Sequence, residues 1–434
     1  MQVTVVGTGY VGLVAGACLA DFGHRVTCVD KDAALVARLR AGEIHIFEPG
    51  LAEIVARTAA DGRLRFETDL ASAREAEVVL LAVGTPETPD GKADLSAIFA
   101  VCDALAPALG KETVVATKST VPVGTGDELE RRLRAAAKVP VHVVSNPEFL
   151  KEGDAVRDFL RPARVVLGGA DPSAFDTMKR LYAPIMRTSE RFHLMDRKSA
   201  ELTKYVANAY LATRISFINE VANLCDAVGA DVESVRKAAG ADPRIGPHYF
   251  FPGCGWAGSC FPKDLVALVA TAQSAGTPLH VVEAAERANR GQWRLLERRV
   301  RELLGEPLAG RSVAIWGIAF KPQTDDVRHS PAIVLMDALL DAGVTVSAHD
   351  PVAVPRVKDR YAGRVRFDHD PYAVAAGAHA LVVVTEWPEY RALDAARLHA
   401  VMQEPRAIMD GRNVYAGLDL ARKGFAYRGI GVRR

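Results

Sequence analysis

VTVVGTGYVGLVAGACLADFGHRVTCVD, residues 3–30, decides the fold. An apolar run leads into a glycine loop, an alanine-rich segment compatible with helix, and a second apolar run that ends on Asp30. The loop GTGYVG, residues 7–12, fits GxGxxG between a strand and a helix. Gly7 permits the tight turn, Gly9 lets the backbone approach a pyrophosphate, and Gly12 lets helix and sheet pack closely. Such a loop alone also serves packing. Asp30, 18 residues after Gly12, adds a carboxylate at the end of the next strand, suited to accept hydrogen bonds from ribose hydroxyls. An acid there repels a 2′-phosphate, which favours NAD over NADP.

Outward from this stretch, apolar runs at 78–83, 113–117 and 141–144 alternate with helical patterns such as DLSAIFAVCDALAPAL, residues 94–109. Short apolar runs between helices imply a parallel sheet covered on both faces, a doubly wound domain over 1–195. RSVAIWGIAF (311–320), SPAIVLMDALLDAGVTVSAHDP (330–351) and AHALVVVTEW (378–387) repeat the order of strand, helix, strand ending in Asp, and later buried strand. A second Rossmann-like domain is therefore expected over 301–434; it lacks GxGxxG and so suits a ligand other than a dinucleotide. Between the two, RKSAELTKYVANAYLATRISFINEVANLCDAVG, residues 197–229, carries apolar side chains three and four apart for about thirty positions with no Gly or Pro inside the run. That spacing predicts one long helix in a central helical region, 196–300, with apolar residues around enough of its girth to serve as a spine and a dimer surface. The fold class expected is α/β, two Rossmann-like doubly wound domains joined by a long central helix and helical dimerisation region.

Composition narrows the partners. With 434 residues, the chain suits about two or three domains. A net charge of +1 gives no general field for nucleic acid or an anionic membrane, so an anionic ligand must be held by local groups. No apolar run approaches the roughly 20 residues a membrane span takes. The opening MQVTVVG has neither the charged nor the apolar region of a secretory signal, and the chain is read as cytoplasmic. The six cysteines, at 18, 28, 102, 225, 254 and 260, are scattered. The first four lie in Ala/Val/Leu-rich surroundings and read as small core fillers, while Cys254 and Cys260, six apart, lack the CxxC or nearby histidine cluster of a metal site.

Several stretches stay open on their residues alone. AVGTPE (82–87), with Gly84, Thr85 and Pro86, and TKSTVPVGT (117–125), with Ser119 and Thr120, follow buried strands at the edge where ligands of such sheets bind. Each taken singly is ordinary turn chemistry. SNPEFLKEG (145–153) offers Glu148 and Glu152 four apart; on a helical turn they would share a face and hold a water or a sugar hydroxyl, and solvated glutamates are the plainer reading. Lys204 and Asn208 are neighbours on the long helix, either donors to a developing oxyanion or a polar strip in solvent. GWAGSCFPKD (255–264) sets Cys260 between glycines and Phe-Pro-Lys-Asp, and nothing within it separates a nucleophile from a core filler.

Together, GTGYVG, KSTVPVGT, NPEFLKEG, the Lys204–Asn208 helix, GSCFPKD and GIAFKPQTDDVRHSP follow an order and spacing that resembles the UDP-glucose and GDP-mannose dehydrogenases over essentially the whole chain. RIGPHYFFPGCGWAGSC, residues 244–260, is similar to the UDP-glucose branch. The resemblance implies an NAD-dependent four-electron oxidation of a nucleotide sugar's C6 alcohol to a carboxylate. Cys260 would be the nucleophile, passing through a thiohemiacetal and a thioester. It further implies that Lys204 and Asn208 stabilise oxyanions, that Asp264 and Thr120 hold the water of proton removal, and that Glu148 is the base for thioester hydrolysis. Cofactor contacts implied are Gly7, Gly9, Tyr10, Val11, Gly12, Asp30, Gly84, Thr85, Pro86, Ser119, Thr120, Glu152, Lys263 and Arg328, the last toward the pyrophosphate. Substrate contacts implied are Glu148, Phe149, Leu150, Lys151, Glu152, Lys204, Asn208, Phe250, Gly253, Gly255, Phe320, Lys321 and Arg412, with Arg244 reaching across a homodimer. Two residues depart from the pattern: Ala257 stands where glycine is frequent, and Leu35 where a basic residue often helps hold the adenosine ribose. Neither a metal, a nucleic acid nor a membrane partner is expected. The rivals are the same chemistry on GDP-mannose or a UDP-N-acetylhexosamine, a two-electron hydroxy-acid dehydrogenase, which needs no thiol, and a non-catalytic sugar-nucleotide sensor.

Overall fold

In a computed structural model that describes residues 1–89, 91–186 and 191–432, the chain divides into two units: Met1–Ala207 with Val266–Thr277, and Asn208–Leu265 with Pro278–Arg434. The first unit is built on eight strands: β1 (Gln2–Val6), β2 (Arg25–Val29), β3 (Leu64–Glu67), β4 (Val78–Leu81), β5 (Thr113–Thr117), β6 (Val141–Ser145), β7 (Val165–Gly168) and β8 (Phe192–Met195). Their order is β3-β2-β1-β4-β5-β6-β7-β8, and the β6–β7 pair is antiparallel while the others run parallel. Every residue of β4 and β5 is buried, as apolar runs without alternation require when helices cover both faces. Val6 lies level with Val29 of β2 and Leu81 of β4, so the chain leaves β1 at the carboxyl edge where the strand order reverses.

The second unit holds β9 (Ser312–Trp316), β10 (Thr345–His349), β11 (Val365–Phe367), β12 (Ala380–Val383), β13 (Ala407–Asp410) and β14 (Ala426–Arg428). The order β11-β10-β9-β12-β13-β14, parallel throughout, reproduces that of the first six strands of the other sheet. Its equivalent carboxylate is saturated. Asp350, the counterpart of Asp30, is 5% exposed. It accepts N–H bonds from Ile318 (2.7 Å), Ala319 (2.9 Å), Val352 (3.0 Å), Ala353 (2.8 Å) and the Trp387 indole (3.2 Å). A side chain on Gly317 would lie 2.4 Å from Thr385. No acceptor is left for a ribose, which is the physical reason this sheet cannot copy the first one's chemistry.

The long helix runs Arg197–Val228, as the spacing predicts, and stops where Gly229 adopts φ +79°. Within the second unit Ile218, Ala222 and Cys225 join the core, while Tyr210, Phe217, Leu224 and Val228 are 56 to 68% exposed at spacings of seven and four. Cys18, Cys28, Cys102, Cys225 and Cys254 are buried and Cys260 is exposed. Cys28 fills the space that Gly16 leaves, its Sγ only 2.4 Å from where a Cβ would stand. Among the described residues no His/Cys/Asp/Glu cluster is suited to a metal, and no helix is long and apolar enough to cross a membrane.

Candidate active site

In the first unit the glycine loop is shaped by contact. Gly7 has φ +96°, and a Cβ there would lie 2.7 Å from the Ala82 carbonyl oxygen; one on Gly12 would lie 1.8 Å from that of Gly7. Around Gly9 there is open space. It caps the helix Tyr10–Asp21 without a side-chain bond, so the first-turn amides, beginning with Tyr10 and Val11, form a seat for an anion. Asp30 accepts Thr8 N–H and Thr8 Oγ1–H at Oδ2, each at 2.8 Å, and Asp32 N–H at Oδ1, 3.1 Å, which leaves lone pairs on Oδ1. A diphosphate and a ribose fit these groups. The exits of β4 and β5 are stitched together, Thr85 Oγ1 donating to the Thr120 carbonyl (2.8 Å) and Ser119 Oγ to that of Val83 (2.7 Å). Gly84 and Pro86 are exposed beside them.

SNPEFLKEG is not helical: β6 ends at Ser145 and the next helix is Ala155–Leu160, so Glu148 and Glu152 do not share a helix face. Glu148 is 7% exposed and accepts from Lys204 Nζ at 2.8 Å and from the Leu150 amide at 2.6 Å. Burial pushes its carboxyl up; the Lys204 charge and hydrogen bond, the Leu150 amide and the Lys118 charge outweigh this and hold it below the usual carboxylate range. The Phe149 ring carries the Arg164 guanidinium at 3.7 Å and the Lys204 ammonium at 5.7 Å. Lys151 pairs with Asp158 (3.2 Å), and Leu150 is half-buried. Sequence reasoning missed Glu201, three residues before Lys204. Its carboxylate takes the amides of Gly124 (2.6 Å) and Gly126 (2.7 Å) and the Ser145 hydroxyl (3.1 Å), pinning the loop that carries Thr120. Ser119, Thr120, Ser145, Glu201 and Lys204 line one small cleft of this unit.

In the second unit Cys260 stands immediately before the helix Phe261–Ser274, and its carbonyl accepts the Asp264 amide at 2.9 Å. The helix starts one residue before Pro262, and the two side chains differ in burial: Cys260 is exposed and Asp264 is 1% exposed. Asp264 instead takes Asn208 Nδ2–H at 2.6 Å and pairs with Lys263 at 2.9 Å. The glycine-rich approach to Cys260 is held by residues that sequence reasoning also missed. Asn289 accepts the Trp256 amide and donates to its carbonyl, both at 2.8 Å, as a neighbouring strand would. Gly253 is held likewise, its amide by Asn219 (2.8 Å) and its carbonyl by Gln292 (2.7 Å). The signal available was uncharged amide side chains three and four apart on helices, Asn289 with Gln292 and Asn219 with Asn223. Gly255 has φ +95°, and a Cβ on Gly258 would meet the Phe320 ring at 2.8 Å. The methyl of Ala257 is buried.

Other candidates are occupied differently from a bare ligand contact. Phe250 is 6% exposed and stacks on Phe217. Arg412 donates to the Val384 (2.8 Å) and Phe320 (3.1 Å) carbonyls and pairs with Glu386 (3.1 Å). Arg244 is almost fully exposed beside Asp242, Arg328 pairs with Asp326 at 2.8 Å, and Lys321 lies over the Phe320 ring at 5.5 Å.

Glycine seat, spare carboxylate and reversed strand order are the marks of an NAD-dependent dehydrogenase. Residues 1–186 match the NAD binding domain of the UDP-glucose/GDP-mannose dehydrogenase family, 198–291 its central domain and 314–417 its UDP binding domain. The chain belongs to that family. It is 48% identical to a UDP-glucose 6-dehydrogenase of Pseudomonas aeruginosa, covering 100% of this chain and 98% of the relative. To one of Rhizobium meliloti it is 47% identical, covering 99% of each. The structure of a UDP-glucose dehydrogenase from Pyrobaculum islandicum superposes with a TM-score of 0.91 at 37% identity, over 100% of this chain and 98% of that one.

Proposed function

We propose that the protein oxidises the C6 alcohol of UDP-glucose to the carboxylate of UDP-glucuronate, reducing two NAD per sugar. Cys260 carries this reading: of six cysteines it is the exposed one, immediately before a helix, where its sulfur is open to an incoming aldehyde. A two-electron dehydrogenase has no use for such a group. Full-length similarity to UDP-glucose 6-dehydrogenases supports the sugar.

Gly7, Gly9, the first-turn amides and Asp30 would hold NAD, which supplies a hydride acceptor for each oxidation. Cys260 Sγ adds to the C6 aldehyde, and Lys204 and Asn208 donate hydrogen bonds to the oxyanion that forms. Capture on sulfur prevents the aldehyde from escaping before the second oxidation leaves a thioester. Glu148, kept ionised by Lys204, takes a proton from the water that attacks the thioester carbonyl; the acid leaves and the sulfur is restored. Thr120 and Asp264 position the water that receives the alcohol proton. The protein is proposed to act as a cytoplasmic homodimer through the exposed stripe of the long helix, with three domains at 1–195, 196–300 and 301–434.

The test is purified protein with a panel of nucleotide sugars, scoring NADH formed per sugar consumed. Two NADH per sugar, fastest with UDP-glucose, is expected. One per sugar sinks the four-electron chemistry, and no turnover on any sugar supports a sensor. Cys260→Ser should abolish acid production with NAD binding nearly intact.

A further inference from the structure

Glu48 lies in FEPG, residues 47–50, a loop that no ligand role accounts for, yet it is 7% exposed. A buried carboxylate is costly unless its oxygens are met by donors. Three meet this one. Tyr10 donates its phenol proton to Oε2, the Gly153 amide donates to the same oxygen at 2.7 Å, and the Val156 amide reaches Oε1 at 3.3 Å. The Gly153 amide also reaches the Tyr10 oxygen at 3.0 Å, so carboxylate, phenol and amide close a three-membered ring of hydrogen bonds. Tyr10 is held as a phenol: burial, then the hydrogen bond and charge of Glu48, push its titration far up. The loop is itself anchored, the Leu51 amide bonding back to the Glu48 carbonyl (3.2 Å) and Leu51 being fully buried.

The two groups that Glu48 joins are not neutral scaffolding. Tyr10 opens the helix directly after Gly9, where open space leaves room for a dinucleotide to approach the backbone. Gly153, at φ +80°, ends the NPEFLKEG segment that begins beside Glu148. We infer that Glu48 is a positioning residue coupling the two ligand sites of this unit, so that a dinucleotide seated on the Tyr10 turn fixes the 148–153 segment for the nucleotide sugar, and the sugar fixes the turn in return. This rests on the function proposed above. Such coupling is reciprocal by thermodynamic necessity, and its size is the factor by which one ligand changes the other's affinity.

The pair NADH and UDP-glucose cannot turn over and reports the factor directly. NADH affinity is titrated by its fluorescence with and without saturating UDP-glucose, for the parent, Glu48→Gln and Tyr10→Phe, with thermal midpoints recorded on each. In the parent, UDP-glucose should tighten NADH by about fivefold or more. In both variants the factor should fall below about twofold, whatever happens to the separate affinities. Glu48→Asp, which keeps an acceptor on a shorter arm, should restore part of it. A purely structural role lowers the midpoint and leaves the factor intact; that result, or a parent factor of one, overturns the inference. If Glu48→Gln does not fold, Tyr10→Phe decides. Failure of the parent to bind either ligand overturns the proposed function together with the inference, whereas independent binding of both overturns the inference alone.

Discussion

Glu148 and Lys204 place opposite charges 2.8 Å apart with almost no exposure on either. In such a setting the acid loses its proton only because the ammonium is present, and the ammonium is tolerable only because the acid is. The sign of the shift follows: Glu148 is held below its ordinary value, so the pair's contribution is complete at neutral pH and is lost as pH falls through that depressed value. Glu148→Gln keeps the shape and a hydrogen-bond acceptor but removes the proposed base. Acid release should slow by about a hundredfold or more, and a covalent thioester should accumulate on Cys260, visible as added mass on the intact protein. Unslowed acid release, or no adduct, would remove Glu148 from the hydrolysis step. As candidates these residues were legible through the family resemblance, where type and spacing alone left each of them open. Their partners were not, because Lys204 is 56 positions from Glu148, Asp264 is 56 from Asn208, and no local pattern encodes such pairings.

Among elements, the segment carrying Trp256 behaves as an edge strand whose neighbour is a single side chain. Asn289→Ala removes both bonds to the Trp256 backbone and leaves buried groups unmet, a cost of about 2 to 4 kcal/mol in stability. Its unfolding midpoint in urea should fall and its turnover should drop; an unchanged midpoint would mean that the clamp is incidental. The end of β10 carries a pH response. His349 is buried, bonded to the Tyr390 hydroxyl (2.7 Å) and the His369 carbonyl (3.1 Å), and burial holds its titration below the ordinary value despite the neighbouring Asp350 charge. Below about pH 6.5 the unfolded histidine takes a proton that the folded one resists, so stability is lost on acidification. Thermal midpoints measured at pH 7.5 and 5.5 should fall less steeply for His349→Asn than for the parent; an identical or steeper fall would contradict the assignment. The helix Arg197–Val228 could be read from spacing because nothing in it interrupts the period. The 145–153 stretch could be misread as a turn of helix on its paired glutamates, although Pro147 biases Asn146 away from helix and Gly153 takes φ +80°.

For the whole molecule, the near-zero net charge and the repeated strand order were visible in composition and in the recurrence of strand, helix and terminal Asp. The saturation of Asp350 was not, since Trp387 arrives from beyond a different strand, β12. The exposed stripe of Tyr210, Phe217, Leu224 and Val228 belongs to the proposed dimer. Leu224→Glu places a charge at a position 60% exposed in the single chain, so the fold should survive while the assembly does not. Light scattering should give the monomer mass at a concentration where the parent gives twice that; a parent that is itself monomeric would end the dimer proposal. The saturated carboxylate of Asp350 has a practical bearing on redesign. Two sheets of one topology would ordinarily offer two competing pockets to anyone altering cofactor preference. Here only Asp30 retains acceptors to spare, so a switch toward a 2′-phosphorylated dinucleotide has a single address, and the nucleotide-sugar half can be left untouched.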